Sequence, residues 1–513
     1  MSFPSPRTAL KLSIFFTGFA GIVAEYLLST LASYILGDSI FQWSITISIM
    51  LLAMGVGARL SKEVSDKFLL DALVLVEIVL SLVVSFSVYL TYLEAPFEER
   101  LSLFIYALCF VTGFLIGLEI PLAIRINEHF EELKENISSI LEKDYLGALP
   151  GGLLYGYIFL PKLGLIYTPL IVGAINLAVA SLLFLGFRGK IRPLVGACYM
   201  VALGCIILFG IFAHPLYLRA EQRFYRDPIV YMKQTPYQKI VLTRWRDQYL
   251  LYLDGHLQLS TVDEKRYHET LVHIPLSLVS HPGKVLVLGG GDGCAVRELM
   301  KYPSIKHIDL VDMDREFVEF ARDNPIMRKI NHNSLQSKRL HLHFEDGFRF
   351  VKELLHKKVR PYDVIIIDLT DPRNEKSCRL YSREFYSMLH HILAVKGVLM
   401  TQATSPFFCK KAFCCIVETL SSADFYPHPL RINIPSFGEW GFVLATVSPL
   451  STKEIRDVIL LHFHQDLTSY LTSRLASSLF FMGKGFSCKG MGINTLLHPR
   501  LITYYDDSMW DLL

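Results

Sequence analysis

The first 213 residues are dominated by apolar runs long enough to cross a lipid bilayer, and no other feature restricts the fold as strongly. A hydrocarbon core of about 30 Å takes roughly 20 apolar residues per helix, because no water is there to satisfy an unpaired backbone. Six stretches qualify: about Leu12 to Leu36, Phe41 to Leu60, Leu69 to Leu93, Leu101 to Ile124, Ile166 to Phe187 and Leu194 to Ala213. A seventh, Tyr145 to Pro161, is interrupted by Gly147, Pro150, Gly151, Gly152 and Gly156. It reads as a broken or re-entrant segment instead of a clean span, so the count is six or seven. Arg7 and Lys11 precede the first run, which is long and followed at once by others, as in an uncleaved anchor.

Basic residues in short loops mark the cytoplasmic side. Arg59, Lys62 and Lys67 follow the second run and Arg125, Lys134 and Lys143 the fourth, whereas the loops at Asp38 and Glu94 to Glu99 are acidic or nearly uncharged. Six crossings return the rest of the chain to the cytoplasm and leave Arg188, Lys190 and Arg192 outside; seven reverse both. Charge alone leaves this open. Glu25, Glu77 and Glu119 fall within the runs, where an unpaired charge costs at least ~2.5 kcal/mol. They suit a ligand pocket or, more simply, protonated or helix-pairing carboxyls.

Hydrophobic residues make up 52% of the 513 and charged residues 19%, an apolar excess confined to this first part. The net charge of +3 is small for the length and the basic residues form no stripe, which sets nucleic-acid binding aside. The nine cysteines show no CxxC spacing and no metal-ligand pattern, and they read as buried thiols of a reducing compartment. Cys414 and Cys415, in the apolar run Phe413 to Leu420, read as core.

Past this region the patterning changes. Short runs between Pro228 and Val262, ending at Asp254-Gly255, predict β-hairpins. A helix from about Lys265 to Ser280 leads into alternating strands and helices: Lys284 to Leu288, Cys294 to Lys301, Ile308 to Val311, Arg315 to Asp323, Leu340 to Phe344, Phe348 to His356, Val364 to Ile367 and Ser382 to Leu393. Repeated βα units predict a mostly parallel sheet covered by helices. The expected organisation is a multi-pass α-helical membrane domain (1–216), a β-hairpin subdomain (217–262) and a soluble α/β Rossmann-like, methyltransferase-type domain with a carboxy-terminal extension (263–513).

The first strand of that domain runs into Gly289-Gly290-Gly291-Asp292-Gly293. Glycines there let the backbone approach a ligand at the sheet's carboxyl edge. Gly289, Gly291 and Gly293 follow G-x-G-x-G, whereas the dinucleotide fingerprint needs glycine where Cys294 stands, which shifts the expectation from NAD to an adenosyl ligand. Asp312, about 20 residues on, suits the ribose hydroxyls, while Asp314 fits a helix N-cap. Asp346 and Gly347 close the third strand at the same edge. Asp368 and Asp371 leave the buried run Val364 to Ile367 three residues apart, a pair suited to binding a cationic substrate and removing its proton, or to capping a loop.

Together these residues resemble the spermidine synthases, the polyamine aminopropyltransferases. The resemblance runs through Thr235-Pro236-Tyr237-Gln238, Leu253-Asp254-Gly255, Gln258, Asp263-Glu264, Tyr267-His268-Glu269, Gly289 to Gly293, Asp346-Gly347 and Asp368 to Pro372. Gly117 to Pro121, Asp144 to Gly147 and Pro435 to Phe442 look like the bacterial membrane-anchored branch. The resemblance implies aminopropyl transfer from decarboxylated S-adenosylmethionine, as co-substrate, to a diamine, usually putrescine. Neither metal nor further cofactor is expected. It implies that Gln238, Asp312, Asp346, Gly347, Gly289 and Gly291 hold the adenosyl part, and that His268 and Asp292 contact the aminopropyl or polyamine part. Asp368 is then the general base, Asp371 a second amine anchor, and Tyr267 and Tyr381 line the acceptor channel. The family usually has glutamate where Asp312 stands and glycine where Cys294 stands. Expected partners are these small molecules and the lipid bilayer, with a homo-oligomer left open. The expected location is the bacterial inner membrane, with the catalytic domain cytoplasmic because its substrates are intracellular metabolites. The rivals are a methyltransferase using intact S-adenosylmethionine, whose carboxylate Asp292 would repel, and a membrane polyamine sensor or transporter whose soluble half only binds ligand.

Overall fold

The computed structural model describes residues 5–37, 39–94, 98–357, 360–372, 375–506 and 508. The chain forms two compact units, Met1–Pro228 and Ile229–Leu513.

The first unit consists of long helices: α1 (Pro6–Leu36), α2 (Ser39–Leu60), α3 (Leu69–Glu94), α4 (Glu98–Asn127), α5 (Leu133–Leu154), α6 (Gly164–Gly186) and α7 (Pro193–Glu221). Among the described residues six helices are long and apolar enough to cross a membrane, the continuous run from Leu133 to Gly186 counting as one. That run contains the segment expected to break, and it is helical throughout. A π-helical stretch, Tyr155–Leu163, extends α5 to Gly164, whose φ of 62° turns the chain back. The glycines serve packing: a Cβ on Gly147 would sit 1.8 Å from the Phe15 carbonyl oxygen, and one on Gly151 2.7 Å from that of Phe19. Small residues let helices meet closely where apolar burial gives no preference for a partner.

Neighbouring contacts give the helix directions. Gly147 faces Phe15 and the Tyr155 hydroxyl lies 2.7 Å from that of Thr30, so α5 runs with α1; Gly186 lies against Ala9, so α6 returns. The backbone N–H of Arg192 donates to Asp71 near the start of α3, and Tyr217 packs on Tyr92 near its end, so α7 runs with α3. Glu131, between α4 and α5, pairs with Arg7 and Lys11, and Arg125 pairs with Asp66 between α2 and α3. The basic loops therefore share one face of this unit, and α7 ends at the other. Glu77 and Glu119 lie side by side and buried between α3 and α4, whereas Glu25 is partly exposed.

The second unit opens with an antiparallel meander, β1 (Ile229–Gln234), β2 (Lys239–Trp245), β3 (Gln248–Leu253) and β4 (His256–Ser260). Then follow α8 (Glu264–Leu276), β5 (Lys284–Gly289), α9 (Cys294–Leu299), β6 (His307–Val311), α10 (Arg315–Asp323), α11 (Pro325–Ile330), β7 (Leu340–His343), α12 (Gly347–Leu355), β8 (Tyr362–Asp368), α13 (Glu375–Cys378), α14 (Arg383–Ile392), β9 (Leu393–Gln402), α15 (Lys410–Ser421), β10 (Tyr426–Ile434), β11 (Gly438–Thr446), α16 (Thr452–His462), α17 (Ser473–Ser478) and α18 (Arg500–Asp506). The large sheet has the order β10-β11-β9-β8-β5-β6-β7, parallel from β9 to β7, with β11 antiparallel to β9. This is a doubly wound Rossmann-like sheet with an added hairpin. Its order reverses between β5 and β8, where such folds open their ligand crevice.

The central strands are apolar on both faces because both are covered. Val285, Val287, Val364 and Ile366 enter one core; Leu286, Leu288, Ile365 and Ile367 enter the other. Cys414, on α15, is core as expected, but it is bonded to Cys488 in a disulfide, which corrects the reading of all the cysteines as thiols.

Candidate active site

The glycine turn after β5 is shaped by the strand beside it. Gly289 pairs with Asp368 across the sheet, has φ of 79°, and leaves only 2.2 Å between a would-be Cβ and the Asp368 carbonyl oxygen. The Gly290 N–H donates to that same oxygen at 3.0 Å. A side chain at Gly291 would come within 2.5 Å of Asp312 Oδ2, so the turn and the acid after β6 fit only with glycine there.

Asp312 accepts the Asp314 N–H at 2.9 Å. Burial, then the charges of Asp314 and Asp292, push its carboxyl up to about 7. Asp314 caps α10, accepting from Phe317 N–H, and receives the Thr235 hydroxyl at 2.7 Å and the Gln238 amide at 2.9 Å. Gln238 is thereby held at the mouth of the same crevice, from the β1–β2 turn. Asp346 caps α12 at the end of β7, accepts Arg349 N–H at 3.0 Å, and pairs with Arg379. Gly347 follows it at the start of α12. Arg379 is a neighbour that sequence reasoning missed.

On the other side of the turn stand the groups expected to meet the amine. Tyr267, on α8, donates its hydroxyl to Asp368 Oδ1 at 2.8 Å. Burial and then the Asp368 charge push the Tyr267 phenol well above its ordinary value, so it stays a donor. Burial, then the nearby Asp292, raises Asp368 to about 6, against the lowering effects of His268 and the Tyr267 hydrogen bond. Asp292 accepts the Cys294 N–H at 2.7 Å. Phe437 and Phe442, from the hairpin, pack on the Tyr267 ring and fix its direction.

His268 is buried, with Nδ1 2.8 Å from Glu264 Oε2. Burial opposes its charge, but Glu264, Asp292 and Asp368 outweigh it and raise the imidazole to about 9. Burial likewise opposes a charged Glu264, but His268 and Arg297 bring it down to about 2. Glu264, His268 and Cys294 come close enough together to resemble metal ligands. Both Glu264 oxygens, however, are gripped by Arg297 at 3.0 and 2.8 Å, and this guanidinium would repel a metal cation.

Tyr381 is fully buried; its hydroxyl accepts from the Gln402 amide at 2.5 Å and donates to the Thr370 carbonyl at 3.3 Å. Asp371 Oδ2 accepts the Tyr505 hydroxyl at 2.8 Å. Neither Gln402 nor Tyr505 carried a signal in the sequence. All twelve expected site residues thus border the carboxyl end of the sheet around its switch point, between the loops after β5, β6, β7 and β8. The arrangement offers acidic and hydroxyl-binding groups on one flank and a cluster of carboxylates with a mid-range base on the other.

A family model described as the spermine/spermidine synthase domain matches residues 264–456. Polyamine aminopropyltransferase 2 of Aquifex aeolicus is 49% identical over 509 residues, spanning 98% of this chain and 99% of its own. The polyamine aminopropyltransferases of Oceanobacillus iheyensis and Leptospira interrogans are each 37% identical, spanning 96% and 98% of this chain and 95% and 98% of theirs. The likeness takes in the helical half as well as the sheet, and the chain belongs to the polyamine aminopropyltransferase family, as an enzyme of that class.

Proposed function

We propose that the protein transfers the aminopropyl group of decarboxylated S-adenosylmethionine to putrescine, yielding spermidine and methylthioadenosine, with Asp368 as general base. The observation that carries this reading is the Asp368 carboxylate at the sheet's switch point, oriented by Tyr267 and raised to about 6. A sulfonium is already an activated leaving group, so the enzyme's task is to hold a deprotonated amine in line with the carbon attacked. An alkylamine is almost wholly protonated near pH 7, by analogy with lysine's pKa of about 10.4. Asp368 accepts that proton; the nitrogen lone pair forms the new C–N bond as the C–S pair returns to sulfur, leaving a neutral thioether. A base whose pKa lies just below the working pH is ionised and still able to take a proton.

In this reading Asp312, Gln238, Asp346, Gly347, Gly289 and Gly291 hold the adenosyl part. Asp292 takes the donor's ammonium and Asp371 the far end of the diamine. Tyr267 and Tyr381 wall the acceptor channel. His268, cationic and tied to Glu264, serves best by favouring the ionised form of Asp368, a change from direct amine contact. Asp368→Asn should keep donor binding by calorimetry while transfer falls by at least about a hundredfold, the lower range for a lost acid–base group; unchanged turnover would remove Asp368 as base.

The helical unit, in this proposal, lies in the bacterial inner membrane with its basic loops cytoplasmic. In this reading the turn at Gly164 lets α5 and α6 count as two crossings and α7 as a seventh, which would bring the chain out on the extracytoplasmic side. That favours an extracytoplasmic catalytic unit over the cytoplasmic one expected from substrate supply. The Cys414–Cys488 disulfide supports the same side, since disulfides persist in oxidising compartments.

A further inference from the structure

The family domain ends at residue 456, yet the chain after it returns to the site. Asn494 is buried, and its side-chain amide donates to the carbonyls of Cys378 and Tyr381 at 2.9 and 3.1 Å. Its own carbonyl accepts Arg383 N–H at 2.9 Å, and its N–H donates to the Thr419 hydroxyl at 3.0 Å. The Leu496 N–H donates to Glu384 at 3.1 Å. One short segment thus fixes both ends of the 3₁₀ turn that carries Tyr381. Six residues on, α18 begins; Leu501 and Tyr505 are buried in the same core as Tyr381 and Cys378, and the Tyr505 hydroxyl reaches Asp371 Oδ2 at 2.8 Å. The Cys414–Cys488 disulfide anchors this extension to α15 just before Asn494.

These contacts fall on two of the residues assigned above to the acceptor amine. We infer that the carboxy-terminal extension is the acceptor-side wall of the site, and that Tyr505 is a positioning residue that orients Asp371 toward the far ammonium of the diamine. This rests on the reading of Asp371 as amine anchor. Losing the Tyr505 donor loosens the Asp371 carboxylate from the geometry that meets a diamine of one length, so the extension would set both affinity and chain-length preference. Tyr505 acts through Asp371, which predicts that the two substitutions are not additive.

The test is steady-state kinetics of the full-length enzyme in detergent, with Tyr505→Phe, Asp371→Asn and the double variant, against putrescine and cadaverine. Phenylalanine keeps the buried ring, so the fold is retained. Tyr505→Phe should raise KM for putrescine about tenfold, the size of one hydrogen bond to a charged group, while KM for the nucleoside donor and kcat stay within about twofold. It should also narrow the preference between the two diamines. In the double variant the KM should equal that of Asp371→Asn alone. If Asp371→Asn raises the amine KM and Tyr505→Phe does not, or if their effects multiply, the inference about Tyr505 is wrong. If Asp371→Asn itself leaves the amine KM unchanged, the anchor assignment fails first. A merely structural role for Tyr505 would move both substrates' constants together.

Discussion

Removing the Tyr267 hydroxyl should move the pH at which this enzyme switches on. In the native site that hydroxyl donates to Asp368 Oδ1 at 2.8 Å and lowers its pKa, opposing the burial and the Asp292 charge that raise it to about 6. Hydrogen bonds to charged groups contribute about 1.5–3 kcal/mol, which at about 1.4 kcal/mol per unit corresponds to a rise of roughly one to two units in Tyr267→Phe. The sign follows from the donor stabilising only the ionised carboxylate: without it the base form appears at higher pH. The acid limb of kcat/KM should therefore shift from near 6 to about 7–8. At pH 7 the variant should be slower by about twofold to tenfold, and by pH 8.5 it should recover to within about twofold. The assay is methylthioadenosine release measured from pH 5 to 9, taken as the ratio of variant to native so that protonation of the free amine cancels. A limb that stays near 6, or a loss of equal size at every pH, would refute the Tyr267–Asp368 coupling.

Gly147→Ala places a methyl group against the Phe15 carbonyl and should destabilise the helical unit by about 1–3 kcal/mol, read as a lower melting temperature in detergent; an unchanged value would contradict close packing of α1 on α5. Of the nine cysteines, seven should react with a thiol reagent in unreduced, denatured protein, and nine would rule out the disulfide. A carboxy-terminal alkaline phosphatase fusion should be active and a green fluorescent protein fusion dark in a bacterial host. The opposite pair of results would put the catalytic unit in the cytoplasm.

What was legible in the sequence is what short segments decide. The run Val285 to Leu288 followed by five residues with four glycines specifies a buried strand and a close turn. Asp314, just ahead of the helical spacing of Arg315 to Asp323, reads as a helix cap, and the structure has it as one. The helix over Arg315–Asp323 has the bounds its apolar spacing predicts. Distant partners left no such trace. Cys414 and Cys488 are 74 residues apart, Asp346 and Arg379 meet across two loops, and Tyr505 approaches Asp371 from beyond the family domain. Pro427 and Pro429 are tolerated within β10 because that strand lies at the sheet edge. The glycines of α5 look like breakers until α1 is seen to pack against them.

The most direct test of the central claim is mass spectrometry of the products made by the full-length enzyme from decarboxylated S-adenosylmethionine and putrescine. The prediction is spermidine and methylthioadenosine in equal amounts, formed by Asp368→Asn at least about a hundredfold more slowly. Methylated amine from intact S-adenosylmethionine, or no new amine from either donor, would contradict it.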